Sequence, residues 1–353
     1  MAKATRTAQA TRRAWRIILY LAAAALIAAP LAGAQGTVTV LCSPNVVWCD
    51  VIKEEFPKAT GIDLEYIRLS SGEALARLRA ERDNPTFDVW FGGTGDPHLV
   101  AFAEGLTEFY KPSSWDDLIP AFREATGETY LPLYAGILGW AVNDQMLQRM
   151  GLPIPQTWKD LTAPMYRGLV AMPNPNTSGT GYTMLATILQ IYGETEGWRL
   201  LRDLHLNIAQ YTRAGAEPGL LAGRGEVAVG VTFMHDALNQ ALQGYPVSVR
   251  APADGTGFEI GGLSLVRNGP NREGAIRFIE WALSPEAQVL AAQRGDSYQL
   301  PTNIRTPLPE HAPRFEEVRV IPYDFAHWGD PAVRDAVVTR WTNEIFPIPR
   351  PSN

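Results

Sequence analysis

The chain has 353 residues, 46% hydrophobic and 19% charged, a balance that suits a folded protein of two ordinary domains and excludes a disordered chain or a coiled coil. Its 31 basic and 37 acidic residues leave a net charge of −6, the wrong sign for a nucleic-acid partner.

Residues 1–34 differ in kind from the rest. Lys3, Arg6, Arg12, Arg13 and Arg16 bring five positive charges and no acid, an apolar run from Ile17 to Leu31 follows, and Ala32-Gly33-Ala34 forms a small-residue cleavage site. These are the three parts of a cleavable secretory signal peptide, with Arg12-Arg13 leaving a twin-arginine route open. The shortness of the apolar run and Pro30 argue against a permanent membrane anchor. Without this segment, 26 basic residues face 37 acidic ones, an excess of 11. An anionic ligand would therefore have to be held by local donors and not by the field of the whole molecule. The expected compartment is the periplasm.

Thr37 to Leu41 alternates as a strand, and a helix is expected from Val46 to Thr60, stopped by Gly61. The only cysteines, Cys42 and Cys49, lie in the exported part, where the default is a disulfide from the end of this strand to the helix. The rival reading, a metal held by the pair, lacks a second cysteine pair, and His98, His205, His235, His311 and His327 have no ligand spacing. No metal or other cofactor is expected.

Ile62 to Leu69 reads as a second strand, after which Ser70-Ser71-Gly72-Glu73 opens a helix with Ser71 as candidate N-cap. Phe87 to Phe91 is a third strand, running into Gly92-Gly93-Thr94-Gly95-Asp96. Three strands that each end in a small polar loop and a helix give the βα pattern of an open parallel sheet, with ligands at the carboxyl ends of the strands. Tyr130 to Val142, broken by Gly136 and Gly139, and Val247 to Val266 read as paired hinge strands between two lobes.

The second lobe contains Pro155 to Leu161, a helix from Glu194 to Leu204, and a buried strand from Gly225 to Thr232 followed by Phe233-Met234-His235-Asp236 at the start of a helix. It also holds the stretch Pro173 to Thr183, P-N-P-N-T-S-G-T-G-Y-T, between an apolar run and a helical pattern. Bare N–H groups and the dipole at such a helix start hold an anion without a lysine. Ser178, Thr180 and Thr183 add hydroxyls, and Gly179 and Gly181 let the backbone approach. An ordinary N-capped helix is the plain alternative. Asn271 to Ser284 and Pro285 to Arg294 read as two further helices. Trp90, Phe91 and Trp140 are expected in the core.

An enzyme would need a nucleophile with a base, or a metal. There is no G-x-S-x-G elbow, no Walker lysine and no acidic residue placed for a dinucleotide fingerprint. An exported phosphatase using the same anion loops therefore has neither nucleophile nor metal to name, and no catalysis is expected.

T-V-T-V-L-C-S-P-N-V-V-W-C from Thr37, F-D-V-W-F-G-G from Phe87, P-Q-T-W-K-D-L from Pro155, G-L-V-A-M-P-N-P-N-T-S-G-T-G-Y-T from Gly168 and S-P-E-A-Q from Ser284 span nearly all of the exported chain. In this order they resemble the ABC-transporter periplasmic solute-binding proteins of the ferric-ion, 2-aminoethylphosphonate and hexose-phosphate group. The resemblance implies an α/β fold of two lobes, each a mostly parallel sheet flanked by helices, joined by hinge strands. With the hinge reading, residues 35–135 and 255–296 form the first lobe, and 136–254 and 297–353 the second. Closure over one ligand is then a hinge motion. The partners implied are a small solute and an inner-membrane ABC permease, and the protein is expected as a monomer.

Within this group the chain departs from the iron binders. Their two adjacent tyrosines correspond to Phe233 and Met234, their histidine to about Asn45 and their glutamate to Gly93, so the anionic oxygen ligands that ferric ion needs are missing. His235-Asp236 with Glu259 on the returning hinge strand resembles the hexose-phosphate branch. The phosphate is then expected at Ser70, Ser71, Gly72, Ser178, Gly179 and Thr180. Asn45, Thr94, His235, Asp236 and Glu259 are expected at the sugar, where carboxylates accept hydrogen bonds from hydroxyls. Asp236 and Glu259 could pair equally with the ammonium of 2-aminoethylphosphonate. The alternatives for the His-Asp pair and for Glu259 are a helix cap and a solvated edge-strand residue.

Overall fold

A computed structural model describes residues 36–351; the signal segment expected over residues 1–34 lies outside them. Among the described residues no helix is long and apolar enough to cross a membrane.

Apolar strands alternate with amphipathic helices from the start. Strand β1 (Val38–Cys42) leads into α1 (Val46–Thr60), which Asn45 caps by accepting from the Trp48 N–H, and which Gly61 ends at φ 75°, a conformation that favours glycine. Strand β2 (Leu64–Arg68), α2 (Ser71–Ala80), β3 (Val89–Phe91) and α3 (Gly95–Ala103) follow, then the short β4 (Thr107–Glu108). The N-cap of α2 is Ser70 and not Ser71, because Glu73 reaches back to the Ser70 N–H at 3.1 Å and fixes the start one residue earlier.

Strand β5 (Leu131–Val142) is continuous through Gly136 and Gly139 and buried along its whole length. It leads to β6 (Val170–Pro173), α4 (Gly179–His205), β7 (Ile208–Thr212), α5 (Glu217–Gly223), β8 (Val229–Phe233) and α6 (Met234–Leu242). Gly193, at φ 74° and ψ 171°, breaks α4 and so separates the two helices read on either side of it. The expected extended stretch from Val247 to Val266 is two strands, β9 (Ser248–Arg250) and β10 (Phe258–Val266), parted by a loop with a turn from Pro252 to Gly255. After α7 (Arg272–Ala282) come β11 (Leu300–Pro301) and α8 (Pro331–Arg340).

The strand order is β2-β1-β3-β10-β5-β8-β6-β7. Pairs β1/β2 and β1/β3 are parallel, as are β6/β7 and β6/β8, while β10 and β5 run antiparallel between the two trios. Each end is thus a parallel βα sheet, and the antiparallel pair joins them. Strand β5 changes core along its length. Leu131, Leu133 and Tyr134 pack with Val40, Phe91 and Phe278; Leu138, Trp140 and Val142 pack with Val170, Leu185 and Val231. Trp90, Phe91 and Trp140 are buried, with Trp90 stacked on His98 at 3.7 Å.

The C-terminal part, placed in the second lobe by its sequence, divides. Leu300 and Pro301 pair with Ala135 and Tyr134, and Asn303 bridges Leu118, all beside the first core. Trp328, Val337, Trp341 and Ile345 pack into the second core. The chain crosses late because β11 hydrogen-bonds to the first half of β5.

Cys42 and Cys49 form a disulfide from the end of β1 to α1. Both are buried, and the closed loop is small, so its stabilisation falls near ~2 kcal/mol.

Candidate functional site

The carboxyl ends of both parallel trios face one cavity. The N-cap residues of six helices line it: Asn45, Ser70, Thr94, Ser178, Ala216 and Phe233, for α1 to α6 in turn. Each helix start carries about half a positive charge on N–H groups that have no intrahelical partner. Thr94 and Ser178 are hydroxyl residues at N-cap positions, yet neither side chain caps its helix. The start of α4, with Ser178 and Thr180 on the cavity, therefore keeps first-turn donors that no side chain caps, which is the arrangement that binds anions.

Of the residues expected at a phosphate, Ser70, Ser71, Ser178 and Thr180 line this cavity. Ser71 Oγ accepts from the Thr94 N–H at 3.1 Å, tying α2 to α3. Gly72 and Gly179 lie outside the lining and serve the approach of the two halves. The Gly72 N–H donates to the Thr177 carbonyl at 3.0 Å, and Gly179 faces Thr94 so closely that a Cβ would collide with its hydroxyl. The Ser70 hydroxyl donates to the Arg213 carbonyl at 3.3 Å, and Glu73 pairs with Arg213, so the same loops meet again beside the cavity.

Asn45, Thr94, His235, Asp236 and Glu259, expected at the opposite end of a ligand, also line it. The helix-cap alternative for His235-Asp236 does not describe them, since neither caps α6. Asp236 Oδ2 accepts from the Thr232 hydroxyl at 3.2 Å, and its Oδ1 lies 3.7 Å from His235 Nε2. His235 Nδ1 is buried without a partner. Glu259 is only 4% exposed, which rules out the solvated edge-strand alternative. It sits opposite Gly136 on β5, where a Cβ would lie 2.9 Å from its Oε1 and 2.7 Å from His235 Cε1. Glycine at 136 is what lets both side chains lie over the hinge strand.

The electrostatics divide the cavity further. Burial first, then the carboxylates of Asp236 and Asp96, hold the Glu259 carboxyl well above its ordinary range. Burial pushes His235 down against the pull of Asp236, so the imidazole stays neutral. A carboxyl biased toward its protonated form and a neutral imidazole can each both donate and accept, which suits hydroxyl groups.

Two parts of the lining went unread in the sequence. Arg68, the last residue of β2, is the cavity's one lysine or arginine among the described residues; its Nε donates to the Pro44 carbonyl at 3.1 Å. Gly215 and Ala216 lie in the loop between β7 and α5, where the strand-loop-helix order of the other loops was the available signal. Tyr134 and Ser43 also line the wall, with Pro44, Gly93 and Gln299: the Tyr134 hydroxyl accepts from the Gly93 N–H at 2.7 Å, and Ser43 Oγ accepts from Trp90 Nε1 at 2.9 Å.

Residues 101–327 match the family model described as bacterial extracellular solute-binding protein. A protein of Haemophilus influenzae is 38% identical over 92% of this chain and 95% of its own. The solved structure of the periplasmic binding protein AfuA from Actinobacillus pleuropneumoniae, with fructose-6-phosphate bound, superposes with a TM-score of 0.86 at 36% identity, covering 88% of this chain and 98% of that one. A Salmonella typhimurium protein named "Putative 2-aminoethylphosphonate-binding periplasmic protein" is 26% identical over 75% of this chain and 77% of its own. The cavity between two parallel βα sheets and these likenesses agree: the chain belongs to the bacterial extracellular solute-binding proteins.

Proposed function

We propose that the protein captures a small phosphorylated organic solute, a hexose phosphate before others, and hands it to an inner-membrane ABC permease. The observation that carries this reading is the convergence of six helix N-termini on a cavity that also holds Glu259, His235 and Asp236. The uncapped donors suit a phosphate, and the acids and imidazole suit a polyhydroxylated body. The likeness to AfuA, whose structure holds fructose-6-phosphate, supports the same class. Export through residues 1–34, a periplasmic location, a monomeric state and the absence of catalysis belong to this proposal. So does a two-lobe division in which 36–135 and 258–303 close against 136–254 and the C-terminal helices.

A second reading, 2-aminoethylphosphonate, is favoured by one observation: Asp236 and Glu259 share the cavity, and both would face an ammonium. It requires Glu259 to ionise in a buried place, which the first reading does not. Native mass spectrometry of protein purified from its source without refolding tests the choice. A retained hexose phosphate is the expected result, and a retained aminophosphonate would replace it.

A further inference from the structure

We infer that Arg68 is the residue that makes this site require a doubly negative phosphoryl group; the inference rests on the phosphorylated-solute reading above. Among the described residues Arg68 is the only lysine or arginine that lines the cavity. Its hydrogen bonds go to neutral oxygens alone: Nε to Pro44 O at 3.1 Å, Nη1 to Ser70 Oγ and Nη2 to Ser43 O, both at 3.5 Å. Among the described residues no carboxylate lies within ion-pair distance of it. The nearby acids are engaged elsewhere: Glu73 with Arg213, Asp236 with Thr232 and Glu217 with the N–H groups of Arg213 and Ala214.

A guanidinium stays charged at any pH a protein meets, and a largely enclosed one without a counter-ion is costly. The long, marginal bonds of both Nη atoms leave donors free on the side of Ser70, the hydroxyl that also meets Arg213 O across the cleft. An anion placed there gains a charge-assisted, two-pronged contact that helix N-termini, each worth about half a charge, do not supply. Arg68 therefore reads charge, whereas the hydroxyls of Ser71, Ser178 and Thr180 read shape.

The test compares wild type with Arg68→Met, which keeps the aliphatic stem, and Arg68→Lys, which keeps the charge. Calorimetric titration uses glucose 6-phosphate, glucose 6-sulfate and glucose at pH 8, where the phosphate ester is a dianion and the sulfate ester a monoanion. Arg68→Met is expected to weaken glucose 6-phosphate by about 10- to 100-fold and to narrow its preference over the sulfate, with Arg68→Lys recovering part of it. The melting temperature of ligand-free Arg68→Met should equal or exceed that of wild type, because a half-buried charge without a counter-ion has gone. An unchanged phosphate-to-sulfate ratio, or a lowered melting temperature in the ligand-free variant, overturns the inference. Failure of wild type to bind glucose 6-phosphate would count against the phosphorylated-solute reading instead, and the ligand-free melting comparison would still decide the role of Arg68.

Discussion

Gly72 donates its backbone N–H to the carbonyl of Thr177 at 3.0 Å, so the helix start after β2 and the loop before α4 touch directly across the cleft. Beside this contact Ser70 meets Arg213, and in the first turn of α3 the buried Asp96 pairs with Arg334 of α8 at 3.1 Å. These are the contacts that a hinge opening at β5 and β10 would break.

Gly72→Ala should separate closure from folding. A Cβ at 72 would lie 2.7 Å from Asn176 O and 2.9 Å from Thr177 O, both backbone atoms that cannot easily give way. Crowding of this kind costs about 1–3 kcal/mol, so ligand affinity should fall about 5- to 150-fold. Gly72 has helical φ/ψ inside α2, so alanine should not destabilise the lobe itself. Small-angle scattering with saturating ligand should show the variant remaining as wide as its ligand-free state. A normal contraction would mean that this contact does not form on closure.

Ser71→Ala combined with Ser178→Ala should weaken a phosphorylated ligand by about 10- to 100-fold for each hydrogen bond lost to the anion. Asp236→Ala should instead broaden which sugar phosphates bind, since Asp236, its carboxylate held by the Thr232 hydroxyl, lines the cavity. Titration of each variant against several hexose phosphates checks this, and unchanged affinity in both would place the site elsewhere.

Much of this was legible in the chain because capping chemistry is local. Asn45 and Gly61 bound α1 at the residues read from sequence, and the helix starts at Ser70 and Ser178 show as small polar clusters after apolar runs. What could not be read depends on residues far apart in sequence. Arg68 looks like any strand-end arginine until Pro44 and Ser70 are folded around it. Gly72 and Gly179 look like phosphate-loop glycines, and only the opposing loop shows that they serve close approach between halves. The path from β11 to α8 carries no periodic signal, because its packing is set by the first half of β5 and then by the second core.

The buried carboxyl of Glu259 gives a pH test with a definite sign. Its folded pKa is raised above the ordinary 4.5, so the folded state keeps a proton that the unfolded chain has already lost. That contribution is fully present below pH 4.5 and is lost as pH rises through the folded value. Glu259→Gln removes the titration, so its ligand-free melting temperature should exceed that of wild type at pH 7.5, and the gap should close toward pH 4. A gap independent of pH would show that Glu259 does not hold its proton in the fold.

The central claim is that the cavity takes a phosphorylated, hydroxyl-bearing solute. One calorimetric experiment addresses it most directly: titration of wild-type protein, freed of carried ligand, with hexose phosphates, free glucose, inorganic phosphate and 2-aminoethylphosphonate. Saturable one-site binding of a hexose phosphate, with no response to glucose and a much weaker one to inorganic phosphate, is the predicted result. Tight binding of 2-aminoethylphosphonate with no response to any sugar phosphate would contradict it.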